Sequence, residues 1–274
     1  MASIEQSVEQ GSVGMPAGPG ATVPTPQAGV VAGMPEVVGG AADQSVAGLV
    51  AEAARALADE PTLKQTLDRV VELAVSMVDG CESAGISLVA RGRIESPAVS
   101  DPLVARGDAL QYELREGPCL DAVHDQALVE SGDIGSDLRW PLWAPTVAHE
   151  LGVRSMLCVQ LYTSQDAHGA LNMYSTSRDA FDADAHHLAS TFAAVAAAAI
   201  SAARTEEQLQ SAVQTRTLIG QAQGIIMERY SLSPAQSFAV MSRVSQDANI
   251  RLVDIARGIV ETRRIPGVDD ARKG

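Results

Sequence analysis

From Asp184 to Ile219 the chain carries neither glycine nor proline, and a run of that length rich in alanine has one regular structure open to it, a long helix. Its less polar positions fall at Leu188, Phe192, Val195, Ala199, Ala202, Leu209 and Val213. The steps of three and four, interrupted at Glu206, match the 3.5-residue repeat of a coiled coil. Residues 184–220 are therefore expected to form a helical connector that pairs with a second copy in a parallel homodimer. The alternative open at this stage is a helix packed along a sheet of its own chain.

Beyond the connector, apolar positions continue through Leu218, Ala222, Ile225 and Ile226 to about Tyr230. A second helix has a clear start: Ser233 as N-cap, Pro234 at the first helical position and Gln236 two residues on make a capping box, and Phe238, Met241, Val244 and Ala248 are expected to line one face. Leu252, Ile255, Ala256, Ile259 and Val260 give a third amphipathic stripe, which stops before Pro266. Three such helices can cover one another's apolar faces.

The charge of the chain is divided unevenly. From Arg204 onward ten Lys and Arg stand against eight Asp and Glu, whereas the preceding residues hold ten against twenty-six, for a total of −14. So acidic a body argues against a general nucleic-acid coat protein. Any nucleic acid should meet the C-terminal end.

Upstream, residues 1–44 hold five prolines (Pro16, Pro19, Pro24, Pro26, Pro35) and no periodic apolar face, so a disordered tail is expected. Order should begin near Ser45. Leu49, Ala53 and Leu57 recur at helical spacing; after Pro61, Leu63, Leu67, Val70, Val71, Ala74, Val75 and Val78 mark a second helix that Gly80 stops. From Ser83 the period changes to two, predicting a strand through Ala90. Residues 156–162 and 170–174 flank a polar turn and should form a hairpin. Shorter helices are expected near residues 107–114, 118–124 and 140–151. This order predicts an α+β domain, an antiparallel sheet with helices on one face.

Several classes are disfavoured. Cys81, Cys119 and Cys158 lie far apart with no CxxC pair, so neither a zinc knuckle nor a disulfide framework is indicated. His149-Glu150 and His186-His187 are scattered among different elements, against a metal or haem. No phosphate loop, HExxH, GxSxG or kinase signature is present, and the chain reads as a non-enzyme. There is no Lys or Arg before Arg55 and no uninterrupted apolar run of about 18 residues, which predicts a soluble cytoplasmic protein without a membrane partner.

The strings LQYELREGPCLDAV at 110–123, RWPLWAPTVAHELGVRSMLCVQL and HGALNMYS at 168–175 resemble a GAF domain of the actinobacterial regulator type, over residues 45–196. That resemblance implies a six-stranded antiparallel sheet with a pocket on one face for a small ligand, whose identity the family does not supply. Candidate pocket residues are Cys119, which opens a short helix whose dipole could activate its thiol, and Trp140 and Trp143, which could stack on a ligand. Each has a plain core reading as well.

The pattern IGQAQGIIMERYSLSPAQSFAVMSRVSQDANIRLVDIARGIV, within residues 213–265, resembles the ANTAR domain, with residues 266–274 a flexible tail. The resemblance implies an RNA-binding antiterminator module that takes a pair of stem-loops with hexanucleotide loops in nascent RNA, and hence a dimer; RNA polymerase would be influenced only indirectly. Arg216, Arg229, Arg243 and Arg251 are the candidates for phosphates, with Gln223, Ser245 and Asn249 near loop bases. Gln223 departs from the family, which usually has lysine there. Ser245 and Asn249 could instead brace the second helix, and Ala222 and Gly224 are expected to permit close packing. Two rival readings stand beside this one: a DNA-binding regulator with a helix-turn-helix, and a dimerisation adaptor that binds no nucleic acid.

Overall fold

A computed structural model of the chain describes residues 41–90, 93–124, 127–162 and 168–266. Positions 1–40 of the expected N-terminal tail, and 267–274 of the C-terminal one, lie outside the described residues. Helix begins at Ala41, four residues before the expected onset of order.

Helix α1 (Ala41–Ala58) ends at the Pro61 break, and Thr62 caps α2 (Leu63–Met77) by accepting the Gln65 N–H at 3.3 Å. Gly80 then turns the chain out with φ 84°. A Cβ there would sit 2.1 Å from the Ala180 carbonyl oxygen, so the turn requires glycine. Strands β1 (Ser83–Ala90) and β2 (Arg93–Val99) follow, then α3 (Pro102–Leu114), α4 (Pro118–His124), β3 (Leu128–Ser131), α5 (Trp143–Glu150), β4 (Ser155–Tyr162) and β5 (His168–Ser175). Asp101 and Pro102 start α3 one and a half turns earlier than expected. The β4–β5 hairpin and α4 lie where the sequence put them. Strands β2 and β3 were not expected: Pro97 disguises the first, and the second has four residues.

The strands form one antiparallel sheet in the order β2-β1-β5-β4-β3. Five strands, not six, are present among the described residues. Helices cover both faces rather than one. On the first face α1, α2 and α6 (Ala183–Tyr230) close over Ile86, Leu157, Leu171 and Met173; on the second α3, α4 and α5 close over Met156, Cys158, Ala170 and Tyr174. The cause is visible in β4, where both parities are apolar, Met156 and Cys158 against Leu157 and Val159. Such a strand needs cover on each side.

Asp182 caps α6 by accepting the Ala185 N–H at 2.9 Å, and the helix then continues for 48 residues, roughly 72 Å at 1.5 Å per residue. Its first third packs on the sheet: Leu188, Phe192, Ala193, Ala196 and Ile200 are buried with α1 and α2. Leu188 and Phe192, expected in an intermolecular seam, are thus consumed within the chain. None of the described residues 201–221 is buried, and Leu209 and Val213 stand 63% and 64% exposed. By length and composition alone α6 could cross a membrane; its most apolar third is the part that packs on the sheet.

At its far end α6 buries Ala222 and Ile226 against Met241 of α7 (Pro234–Ala248) and Ile255, Ala256 and Ile259 of α8 (Leu252–Thr262). The capping box at Ser233 and Gln236 is formed. One part of the expected α7 face is displaced: Ser237 and Met241 are buried, while Phe238 is 44% exposed and Ala248 is at the surface. Phe192→Ala is expected to lower the unfolding free energy of the sheet domain by about 3–5 kcal/mol in a urea titration; a loss under about 1 kcal/mol would mean that α6 does not pack on the sheet as described.

Candidate functional site

On the second face of the sheet the interior is not purely apolar. A β-bulge at Ser87, where β1 loses register with β2 between Ile86 and Leu88, lies beside Ser96 of β2. Bulges re-aim side chains in this way. Asn172 and Tyr174 project from β5 toward the same point, and α3 lowers Asp108, Gln111 and Tyr112 onto it.

Asp108 is fully buried. Its carboxylate accepts from Ser96 Oγ at 2.6 Å, Asn172 Nδ2 at 3.0 Å and the Tyr174 hydroxyl, with Ser87 Oγ and Gln111 Nε2 at 3.5 Å. The Tyr112 hydroxyl lies 2.6 Å from Ser87 Oγ and 2.9 Å from Ser96 Oγ. Burial pushes the Asp108 carboxyl above its usual range, against the opposing hydrogen bonds from Ser96, Tyr174, Asn172 and Ser87. One member of the network is left over: Asn172 Oδ1 is buried and accepts no hydrogen bond. Sequence reading passed over these residues. A signal was present in Ser87 and Asn172, polar residues inside otherwise apolar strands.

The three residues expected to line a pocket are packed in the same interior. Burial raises the Cys119 thiol to about 12, which reverses the expected activation by the α4 N-terminus: desolvation outweighs the dipole of a seven-residue helix. Trp140 and Trp143 meet edge to face with ring centroids 5.8 Å apart. Their indole N–H groups donate to Asp121 Oδ2 at 2.9 Å and to the Gly107 carbonyl at 3.1 Å. Among the described residues no group of three His, Cys, Asp or Glu side chains could hold a metal ion.

The C-terminal bundle carries the other candidates, and many have work within the fold. Gln223 Nε2 donates to the Pro234 carbonyl at 3.1 Å, tying α6 to the start of α7. Arg229 donates to the Arg263 carbonyl at the end of α8, and its guanidinium stands 5.5 Å from the Tyr230 ring centroid. Ser245 Oγ donates to the Ile250 carbonyl, and Asn249 closes α7 in the left-handed region at φ 54°. Together they build the α7–α8 turn. Ala222 is buried, as a close-packing residue should be, whereas a Cβ added at Gly224 would meet nothing within 4 Å. Close packing therefore does not explain Gly224.

Arg216, Arg243 and Arg251 are exposed. Arg243 Nε lies 3.8 Å from Asp247, and Arg251 and Arg257 share Asp254 at 2.8 and 2.7 Å. The hydrogen bond from Arg251, followed by that from Arg257, holds the Asp254 carboxyl below its ordinary value. Pairs this exposed are screened by solvent and hold their partners weakly, so a phosphate can compete for the guanidinium groups.

The buried carboxyl gives a test with a definite sign. Because its folded pKa is raised, the stability Asp108 contributes is complete below its ordinary value of 3.8 and is lost as pH rises through the folded value. The unfolding free energy of the wild type minus that of Asp108→Asn is therefore expected to fall from about pH 4 to pH 8. A pH-independent difference would contradict the raised value.

Comparisons with known proteins agree with this division of the chain. A family model of the GAF domain matches residues 60–201, and one of the ANTAR domain matches residues 207–260. No curated protein matches the chain. Among solved structures, the GAF domain of a phosphoenolpyruvate-protein phosphotransferase from Coxiella burnetii is 16% identical, with 62% of this chain and 99% of that one covered and a TM-score of 0.48. A free methionine-R-sulfoxide reductase from Neisseria meningitidis is 18% identical over 59% and 91%, at 0.47. The photosensory core module of a Stigmatella aurantiaca phytochrome is 13% identical over 78% and 46%, at 0.51. At such identity the likeness is one of fold. The GAF match covers more than half of the chain, and with a sensor-type domain followed by an ANTAR domain the content is that of a signal-regulated regulator and not of a catalyst: the chain belongs to the GAF domain family and has the architecture of a GAF-ANTAR regulator.

Proposed function

We propose that the chain is a signal-responsive, RNA-binding transcription antiterminator: a small ligand or signal at the GAF domain controls whether the ANTAR bundle grips paired hexaloop stem-loops in nascent RNA. The observation that carries the reading is the single helix α6, which belongs at one end to the GAF core and at the other to the ANTAR bundle. A change in packing around Leu188 to Ile200 is thereby felt at Ala222 and Ile226 without passing through a flexible joint. A ligand achieves this only by binding two states unequally.

On the sensor side, the unpartnered Asn172 Oδ1 supports a ligand that brings an N–H or O–H group to the second face of the sheet, within the core that also holds Cys119, Trp140 and Trp143. On the output side, the exposed Arg216, Arg243 and Arg251 are the phosphate contacts, while Gln223, Arg229, Ser245 and Asn249 shape the surface that carries them. Two loops call for two bundles. The exposed Leu209 and Val213 supply the apolar contact for a parallel partner helix, and action on nascent transcripts places the protein in the cytoplasm.

Filter binding of the full chain to a double-hexaloop RNA and to duplex DNA, across a salt series, tests the proposal. Preference for the RNA is expected; equal binding to DNA would favour a DNA-binding regulator, and no binding to either an adaptor. Arg243→Ala with Arg251→Ala should weaken RNA binding and reduce the slope of log affinity against log salt by roughly 1 to 1.5. The dimer should persist in light scattering, and its loss would make those arginines structural.

A further inference from the structure

Helix α7 buries a serine and exposes a phenylalanine. Ser237 is fully buried, with its hydroxyl donating to the Pro234 carbonyl at 2.9 Å. Its neighbour Phe238 is 44% exposed, the largest apolar side chain of α7 and the one large apolar side chain left in solvent among the described residues of that helix. Packing alone would favour the opposite choice, since a phenylalanine gains far more from burial than a serine. A fold that nevertheless keeps an aromatic ring at its surface leaves a face open for something else.

The surroundings indicate what. Next to Phe238 on the α7 surface stand Ala235, Ala239 and Ser242, short side chains that leave the ring clear. One turn back, the Pro234 carbonyl accepts from Gln223 of α6, so the amide of Gln223 is fixed at the α6–α7 junction, one turn before the residue that carries the ring. Arg216 and Gly220 precede Gln223 by seven and three residues and share its face of α6. Arg216 is exposed, and a Cβ at Gly220 would meet nothing within 4 Å. An isolated aromatic ring, a fixed amide and a guanidinium beside bare helix backbone do not amount to the contiguous apolar patch of a protein-docking surface. They match the needs of one unpaired nucleobase: a face to stack on, an amide for its edge and a cation for its phosphate.

We infer that Phe238 is the stacking platform for an unpaired loop base of the bound RNA, a role that rests on the RNA-binding reading above. Phe238→Leu keeps the apolar bulk at a half-exposed site and removes the ring. It is expected to leave thermal unfolding and oligomeric state unchanged while weakening binding of the full chain to the hexaloop RNA roughly 5- to 100-fold. Phe238→Trp should retain affinity, and its added indole emission should be quenched by the RNA. With an RNA whose loop nucleotides are abasic, wild type and Phe238→Leu should bind equally.

Three results overturn the inference separately from the antiterminator reading. One is Phe238→Leu binding as tightly as a wild type that does bind the RNA. Another is an undiminished difference between the two proteins on the abasic loop. The third is dissociation of the dimer by Phe238→Leu, which would assign the ring to a protein contact. A wild type that binds no RNA at all overturns both readings together.

Discussion

The structure depends on one helix being shared by two hydrophobic cores. At its N-terminal end α6 is a wall of the GAF domain, with Phe192 fully buried and alanines at 193, 196 and 197 letting the helix lie close to the sheet. At its C-terminal end the same helix is the first of three in the ANTAR bundle, through Ala222 and Ile226. Neither core can be completed without it. Most helical stability comes from packing, and here the packed ends hold the exposed middle in helical form.

The second face of the sheet follows a different principle. A buried carboxylate surrounded by hydroxyl and amide donors is costly to assemble and specific once assembled, because each polar group must find its partner in a low-dielectric interior. Asp108 is met by donors from β1, β2 and β5 and from its own helix α3. The arrangement fixes how α3 sits over the sheet. The network is one donor short of closure at Asn172 Oδ1.

Much of the molecule was legible in the sequence because its signals were periodic. The α2 stripe, the β4–β5 hairpin, the Ser233 capping box and the uninterrupted α6 each rest on a pattern that local chemistry enforces. What was missed depended on tertiary context. The expected sheet has helices on one face, whereas the two parities of the apolar β4 serve opposite cores. Pro97 hid β2, and a proline is tolerated there because β2 is an edge strand beside a bulge. Cys119 was weighed by its place at a helix start, but burial of the whole helix decides its thiol. In the bundle, Ser245 and Gln223 are bound to backbone carbonyls that no spacing rule announces, and the rotation of α7 that exposes Phe238 is set by how it meets α6 and α8.

The unburied middle of α6 has a geometrical consequence. With no fully buried side chain between Ile200 and Ala222, the ANTAR bundle's angular phase about the helix axis is set by the number of residues in that interval. Each residue added or removed turns the output about 100° around the axis and moves it about 1.5 Å along it, whereas a change of seven brings it back to within roughly 20°. The segment acts as a drive shaft with a keyed length. Its side chains can vary as long as they remain helical, but its residue count cannot drift freely without turning the ANTAR bundle about the helix axis relative to the GAF core.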